Sequence, residues 1–370
     1  MRFFLTAFFF LSFAASLAAQ SGRNKQPADD APPAIRPPSQ RKQPAGEIPN
    51  QVLIKAAPPL PTATPPNKVQ EPDQEPDDEV IKVDSSLVPI PASVTDAAGN
   101  TVTNLKLEDF TLIVDGKGQE ISEISRSDTP VRLALLFDNS SSVTIARDFE
   151  RKAATRFFKR VLRPDRDRAA LYSIASYFRL EQPLTNDTRA LIQAIESFPP
   201  PAGATRLLDG VIAAAKYLRD FKDGRRVIVI VSDGADTLSD VTLERDGFGS
   251  VIRAAQLADC QIYVVKTTDF ENFQRTGRRG SNANIQDLTA DQRMRELAAQ
   301  TGGEVYSPLD EKELDSAFTQ IAAELAEQYV LSYYPTDAKR DGSFKQISLQ
   351  VKSNKNLTVR TRKGYYVPKS

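Results

Sequence analysis

Three separated stretches of this sequence carry oxygen donors that could meet around a metal ion. Asp138, Ser140 and Ser142 alternate through Phe137-Asp138-Asn139-Ser140-Ser141-Ser142, Thr205 follows Gly203-Ala204, and Asp233 lies in Val231-Ser232-Asp233-Gly234. Two carboxylates and three hydroxyls are hard oxygen ligands with no nitrogen or sulfur among them. Such a set suits Mg²⁺ or Mn²⁺ rather than zinc or copper. Taken singly, each piece has an ordinary reading: a serine loop, a helix cap, an Asp-Gly turn. Their weight comes from the elements that would have to position them.

Those elements alternate. Val131-Arg-Leu-Ala-Leu-Leu-Phe137 and Arg226-Val-Ile-Val-Ile-Val231 are continuous apolar runs, the pattern of strands buried on both faces. A helix after the first carries Ile145, Phe149, Ala153, Phe157 and Val161 on one side. Further strands are expected at 168–175, 177–184, 261–266 and 304–307. Helices are expected at 187–198, 205–218, 250–258, 287–300 and 310–328. This order specifies an α/β fold with a doubly wound, mostly parallel sheet over 131–328. Ligands of such sheets bind at the carboxyl ends of the strands. Asp138 and Asp233 close the two buried strands there, and Thr205 is expected to cap the helix between them.

The flanks read differently. Residues 1–20 hold Arg2, an apolar run from Phe3 to Leu17 and small residues at Ser16, Ala18 and Ala19, the order of a secretory signal. Export to the periplasm, the outer surface or the medium is the expectation, with no transmembrane span in the mature chain. Residues 21–79 contain fourteen of the 25 prolines and read as a disordered linker. Residues 80–128 form a small β unit. It begins with a strand from Val88 to Val94, which Pro89 and Pro91 assign to a sheet edge. Residues 329–370 return to β structure, with Ile347, Leu349 and Val351 alternating. Neither β piece can bury a face alone, so the two are expected to pack as a β-sandwich around the inserted α/β domain.

Composition removes several chemistries. The chain of 370 residues has 48 Lys plus Arg, 48 Asp plus Glu, one cysteine and no histidine. Without histidine there is no Ser-His-Asp or Cys-His nucleophile and no His-ligated metal. Balanced charge gives no general argument for nucleic acid. Cys260, after Ala254, Ala255, Leu257 and Ala258, reads as a buried thiol.

The set Asp138-x-Ser140-x-Ser142, Thr205 and Asp233 resembles the von Willebrand factor type A (VWA) domain and its metal-ion-dependent adhesion site (MIDAS), over roughly 131–325. Val94-Thr95-Asp96, Glu108-Asp109-Phe110, Val114-Asp115-Gly116-Lys117 and Gly364-Tyr365-Tyr366 also look like a bacterial, mainly acidobacterial, VWFA-related family. The resemblance implies that the serines and threonine ligate the metal directly. The aspartates would act directly or through water, and one position would stay open for an acidic side chain of a partner protein. Asp209, one turn past Thr205, could then hold a metal-bound water or merely complement the helix dipole. Arg275, Arg278 and Arg279, in a loop expected over 267–286, are either a solvated segment or a rim that steers an acidic partner.

Three functions follow as expectations. The first is a non-enzymatic adhesion or protein-binding module. The second is an envelope-tethering protein acting through its proline-rich arm. The third is a metal-dependent phosphoryl hydrolase with Asp138 as nucleophile. Phosphatases of the haloacid dehalogenase type want a second Asp two residues on, where this chain has Ser140.

Overall fold

The computed structural model describes residues 87–126, 129–144, 146–243, 247–278, 285–336, 340–352 and 356–369. The expected signal and linker, residues 1–79, lie outside these, as do Ile145 and Arg279. Among the described residues no helix is long and apolar enough to cross a membrane.

The described chain opens with β1 (Val88–Thr95), β2 (Phe110–Val114), β3 (Lys117–Gln119) and β4 (Glu123–Arg126). The α/β region follows. It comprises β5 (Val131–Asp138), α1 (Arg147–Val161), β6 (Arg168–Ile174), β7 (Phe178–Thr185), α2 (Thr188–Glu196), α3 (Leu207–Arg219), β8 (Arg225–Ser232), α4 (Gly247–Leu257), β9 (Cys260–Lys266), α5 (Thr268–Thr276), α6 (Ile285–Thr301), β10 (Val305–Tyr306) and α7 (Glu311–Glu327). The tail adds β11 (Tyr329–Tyr333), β12 (Phe344–Val351), β13 (Thr358–Thr361) and β14 (Gly364–Tyr366).

The central sheet runs β10-β9-β8-β5-β6-β7, parallel except for β7. Every residue of β5 is buried, because alternate side chains enter two different cores. Leu133, Leu135 and Phe137 pack with α1, α2 and α7 on one face, while Ala134 and Leu136 pack with α3, α4 and α6 on the other. That two-sided burial is the reason for the unbroken apolar runs.

The flanking strands form two antiparallel sheets, β13-β1-β11-β4 and β14-β12-β2-β3, around a shared core of Ile90, Ala92, Phe110, Leu112, Leu331 and Ile347. Each sheet mixes strands from both ends of the described chain. Successive strands β3 and β4 join different sheets.

One expectation fails here. β1 is an interior strand, not an edge, and lies between β11 and β13. The physical reason is stagger. β13 pairs only from Ala92 onward, so Pro89 and Pro91 owe no N–H to a ladder. Their carbonyls instead accept from the Arg362 guanidinium (2.7 Å) and the Thr361 hydroxyl (2.8 Å).

The two regions join at Gln328, between α7 and β11 and 0% exposed. Its side chain accepts from Arg225 (2.6 Å) and donates to Ser93 Oγ (3.0 Å) and Gln261 Oε1 (3.1 Å). Arg360 from β13 pairs with Glu324 of α7 at 2.5 Å, and Tyr263 donates to the same carboxylate at 2.7 Å.

Because Leu331 is 0% exposed at the centre of the shared β core, Leu331→Ala should lower unfolding stability by about 2–5 kcal/mol in denaturant titration. Deleting 329–370 should abolish amide-exchange protection across Val88–Thr95. Full protection of that strand without the tail would contradict the shared-core arrangement.

Candidate metal centre

β5 and β8 are parallel neighbours, with Phe137 opposite Val231. Both strands therefore leave the sheet at the same end. Asp138, the last residue of β5, is 0% exposed. Its Oδ1 accepts from the Ser140 backbone N–H (2.9 Å), which folds the following loop back over the strand end. Its Oδ2 accepts from the Ser232 hydroxyl (2.5 Å), which ties it to β8. The Ser140 and Ser142 hydroxyls lie 2.9 Å apart, so the loop turns both to the same side.

The Thr205 segment is sewn onto this loop. Gly203 C=O accepts from the Ser141 backbone (3.1 Å) and hydroxyl (2.7 Å), and the Ala202 N–H donates to Asn139 C=O (3.0 Å). Gly203 has φ +80°, and a Cβ there would lie 2.3 Å from Ser176 Oγ, the acceptor for the Ala204 N–H. Only glycine fits that position. On its other side, the Thr205 backbone bonds Thr237 and Leu238 in the loop after β8. Thr205, 3% exposed, is thus held between the loop of Asp138 and the loop of Asp233. Asp233 itself accepts the Ala235 N–H (2.9 Å), and its backbone C=O accepts from Thr268 Oγ1 (2.8 Å) at the start of α5.

Thr205 is not the helix cap that the sequence suggests. α3 begins at Leu207, and Arg206 occupies the N-cap without a side-chain cap bond. The free N–H groups of its first turn are satisfied from the loop after β8, by Asp236 Oδ2 to Leu208 N (2.7 Å) and Ser239 Oγ to Asp209 N (3.1 Å). A cap supplied from another segment leaves no local sequence signal. Asp209 is committed in turn. Its oxygens accept from Asp240 N (2.8 Å) and Val241 N (3.2 Å), and Arg206 lies 3.3 Å away. It thereby clamps the same loop.

The rim also differs from its expected form. Residues 268–276 are helix α5, because Phe270 is fully buried and packs edge-on against Phe149 of α1 at 5.6 Å. Arg275 lies in its last turn, and Arg278 follows Gly277, both exposed. The hollow of about 470 Å³ beside Asp233 is bordered by a different cation, Arg293, together with Asp236, Thr268, Ile285 and Asp287.

The electrostatics of the strand ends are unbalanced. Burial, and then the neighbouring Asp233 charge, push Asp138 up to about 7. Among the described residues neither aspartate makes an ion pair. Two further acids share this field. Glu150 of α1 is 0% exposed, and burial followed by the Asp138, Glu271 and Asp233 charges raises it well above the carboxylate range. Glu271 of α5 is raised to about 7 by burial and then by Asp233. Sequence reasoning missed both, because an acid inside an amphipathic helix carries no mark of burial. A divalent cation fits the donor set at the strand ends. It would supply the missing countercharge between Asp138 and Asp233, with hydroxyls beside it and no competing lysine or arginine. Among the described residues no group of three or more His, Cys, Asp or Glu could hold a metal ion, so any such site depends on its hydroxyls.

Asp138 is raised above its ordinary 3.8, so its contribution to stability is full below about pH 4 and is lost as pH climbs through 7. Glu271 acts in the same direction. In chelator, the melting temperature should therefore fall as pH rises from about 5 to about 8. Asp138→Asn should melt above wild type at the high end and converge with it at the low end. A wild-type profile that rises over this range would contradict the assignment.

Residues 133–235 match the family model of the von Willebrand factor type A domain. No curated protein matches the sequence. Among solved structures, the chain is similar to a von Willebrand factor type A protein from Catenulispora acidiphila (10% identity, 77% of this chain and 74% of that one, TM-score 0.43). It is also similar to the vWF domain of the type V pili tip protein Mfa5 from Porphyromonas gingivalis (16%, 52% and 94%, 0.40). A third similar structure is the PilB minor pilin from Streptococcus sanguinis (14%, 54% and 62%, 0.40), of whose length the chain covers less than two thirds. Within the α/β region of this chain, residues 133–235 thus carry the match to the von Willebrand factor type A domain.

Proposed function

We propose that this protein is exported and binds a protein partner through a divalent metal, Mg²⁺ or Mn²⁺, held by Asp138, Ser140, Ser142, Thr205 and Asp233. The partner would contribute an Asp or Glu carboxylate to the position that the chain leaves open. The observation that carries the reading is the buried Asp138 beside Asp233, with the paired Ser140 and Ser142 hydroxyls at the same strand end and no cationic side chain to neutralise them. Asp138 is locked by Ser232 and by its own loop, so the donors are pre-positioned, and binding an ion costs little reorganisation.

The reading is of capture rather than catalysis. The chain has no histidine to carry a proton, and Ser140 stands where a second phosphatase aspartate would be needed. The metal would bind the three hydroxyls as neutral ligands, so two carboxylates alone leave it positive enough to take a third from outside. Export rests on the apolar segment within residues 1–20.

The test is Mn²⁺ binding to the full chain, followed by water-proton relaxation. Asp138→Ala should weaken Mn²⁺ binding by about a hundredfold or more, and Ser140→Ala by about tenfold. A peptide bearing a free Asp or Glu side chain should displace metal-bound water, while its Asn or Gln counterpart should not. Wild-type Mn²⁺ affinity in Asp138→Ala would remove the metal reading. Equal behaviour of the acidic and amide peptides would remove the capture of a carboxylate.

A further inference from the structure

Near the strand-end aspartates lie polar atoms that the five-residue set does not use. Glu150 is 0% exposed, and neither of its carboxylate oxygens has a hydrogen-bond partner. The Thr267 hydroxyl, also 0% exposed, faces Glu150, and Glu271 Oε1 is a further unpaired atom. Buried polar atoms left without partners are destabilising, so their clustering in one place calls for a partner.

The backbone places these atoms against the strand ends. The Thr267 N–H donates to Ser232 C=O (3.0 Å), one residue before Asp233, and the Ser232 hydroxyl is the one that holds Asp138. Thr268 bonds the Asp233 carbonyl, and Glu271 N–H donates to Thr267 C=O (3.0 Å). From the other side, α1 and α5 meet through the Phe149–Phe270 contact, and Glu150 and Glu271 are the next residue on each helix. Asp138 and Asp233 act electrostatically on both glutamates, so the four acids share one neighbourhood.

What could satisfy these atoms is constrained. No lysine or arginine among the described residues forms an ion pair with Glu150 or Glu271. The Thr267 hydroxyl lies within reach of one Glu150 oxygen, which leaves the other oxygen and Glu271 Oε1 to be satisfied whether or not Glu150 retains a proton. Nor can the glutamates join the aspartates as direct ligands, because no three of these acids are placed to hold one ion. The donors that a cation at Asp138 and Asp233 brings with it are its own bound waters.

We infer that Glu150 and Glu271 are outer carboxyl groups of the metal centre, accepting hydrogen bonds from water on the ion's buried side, with Thr267 beside them. This rests on the metal reading above. It adds two residues to that reading and an explanation for a glutamate buried with no ion-pair partner among the described residues.

The experiment is isothermal titration of Mn²⁺ and of Mg²⁺ into the full chain. It compares wild type, Asp138→Ala, Glu150→Leu, Glu150→Gln, Glu271→Gln and Glu271→Ala, and records the melting temperature of each in chelator. Glu150→Leu keeps volume but removes both oxygens. It should melt higher than wild type in chelator and bind metal at least tenfold more weakly. Glu150→Gln, which keeps an acceptor oxygen, should recover most of that affinity. Glu271→Gln, which keeps the acceptor for the Ala146 N–H, should retain most of the affinity, and Glu271→Ala should lose about tenfold or more. Glu150→Leu or Glu271→Ala binding metal within threefold of wild type would overturn the inference while leaving the five-residue site intact. Failure of wild type to bind metal, or Asp138→Ala binding as well as wild type, would instead overturn the reading beneath it.

Discussion

The burial of Asp138 without a cationic partner is the constraint on which the rest of this structure turns. A carboxylate removed from water at the end of a fully apolar strand is costly unless something compensates it. Among the described residues, Asp138 accepts hydrogen bonds from Ser232 and Ser140 and forms no ion pair. The chain then places Asp233 just past the end of the neighbouring strand, which makes the cost larger. A fold selected for stability alone would put an asparagine or a leucine at either position. The retained repulsion makes sense as a site whose missing component comes from solution.

The surrounding loops serve that arrangement. Three segments that are far apart in sequence become rigid with respect to one another through backbone bonds between loops. Gly203 accepts from Ser141, Thr205 bonds Thr237 and Leu238, and Asp236 and Ser239 cap α3 from the loop after β8. Each of these bonds also removes a polar group that would otherwise be orphaned at the crowded strand ends. The tail acts from the opposite end. Gln328 and Glu324 tie α7 to β1 and β13, so the β-sandwich is anchored to the sheet that carries the site.

Much of this was legible in the sequence, and the omissions have physical causes. The two buried strands announce themselves because both faces need apolar side chains, and a strand-end Asp is visible directly after such a run. The doubly wound sheet followed from that alternation, as did the placing of Asp138 and Asp233 at the ends of neighbouring strands. The capping of α3 was not legible, since Asp236 and Ser239 act across about thirty residues and Thr205 merely stands where a cap would be expected. β1 was misassigned to an edge because the proline rule concerns individual N–H groups, and the staggered β13 leaves Pro89 and Pro91 free of that duty. The short helix α5 was missed because its helical signal is a single buried phenylalanine among polar residues.

Glu150 presents the sharpest conflict between local pattern and environment. At its place in α1 the sequence Asp-Phe-Glu-Arg-Lys reads as a solvated helical face, yet the glutamate is fully enclosed. Its effect on an ion at the strand ends depends on charge. Were all four acids ionised, a divalent ion would sit in a surplus of negative charge and have little attraction for a further carboxylate. Burial keeps Glu150 from ionising readily and raises Glu271 as well. The inner layer can thus accept hydrogen bonds without contributing its full charge. An ion there would be neutralised chiefly by Asp138 and Asp233 and would keep its affinity for an acidic group arriving from solvent. On the proposed reading, the low-dielectric interior that makes the site expensive would also leave it able to bind a partner.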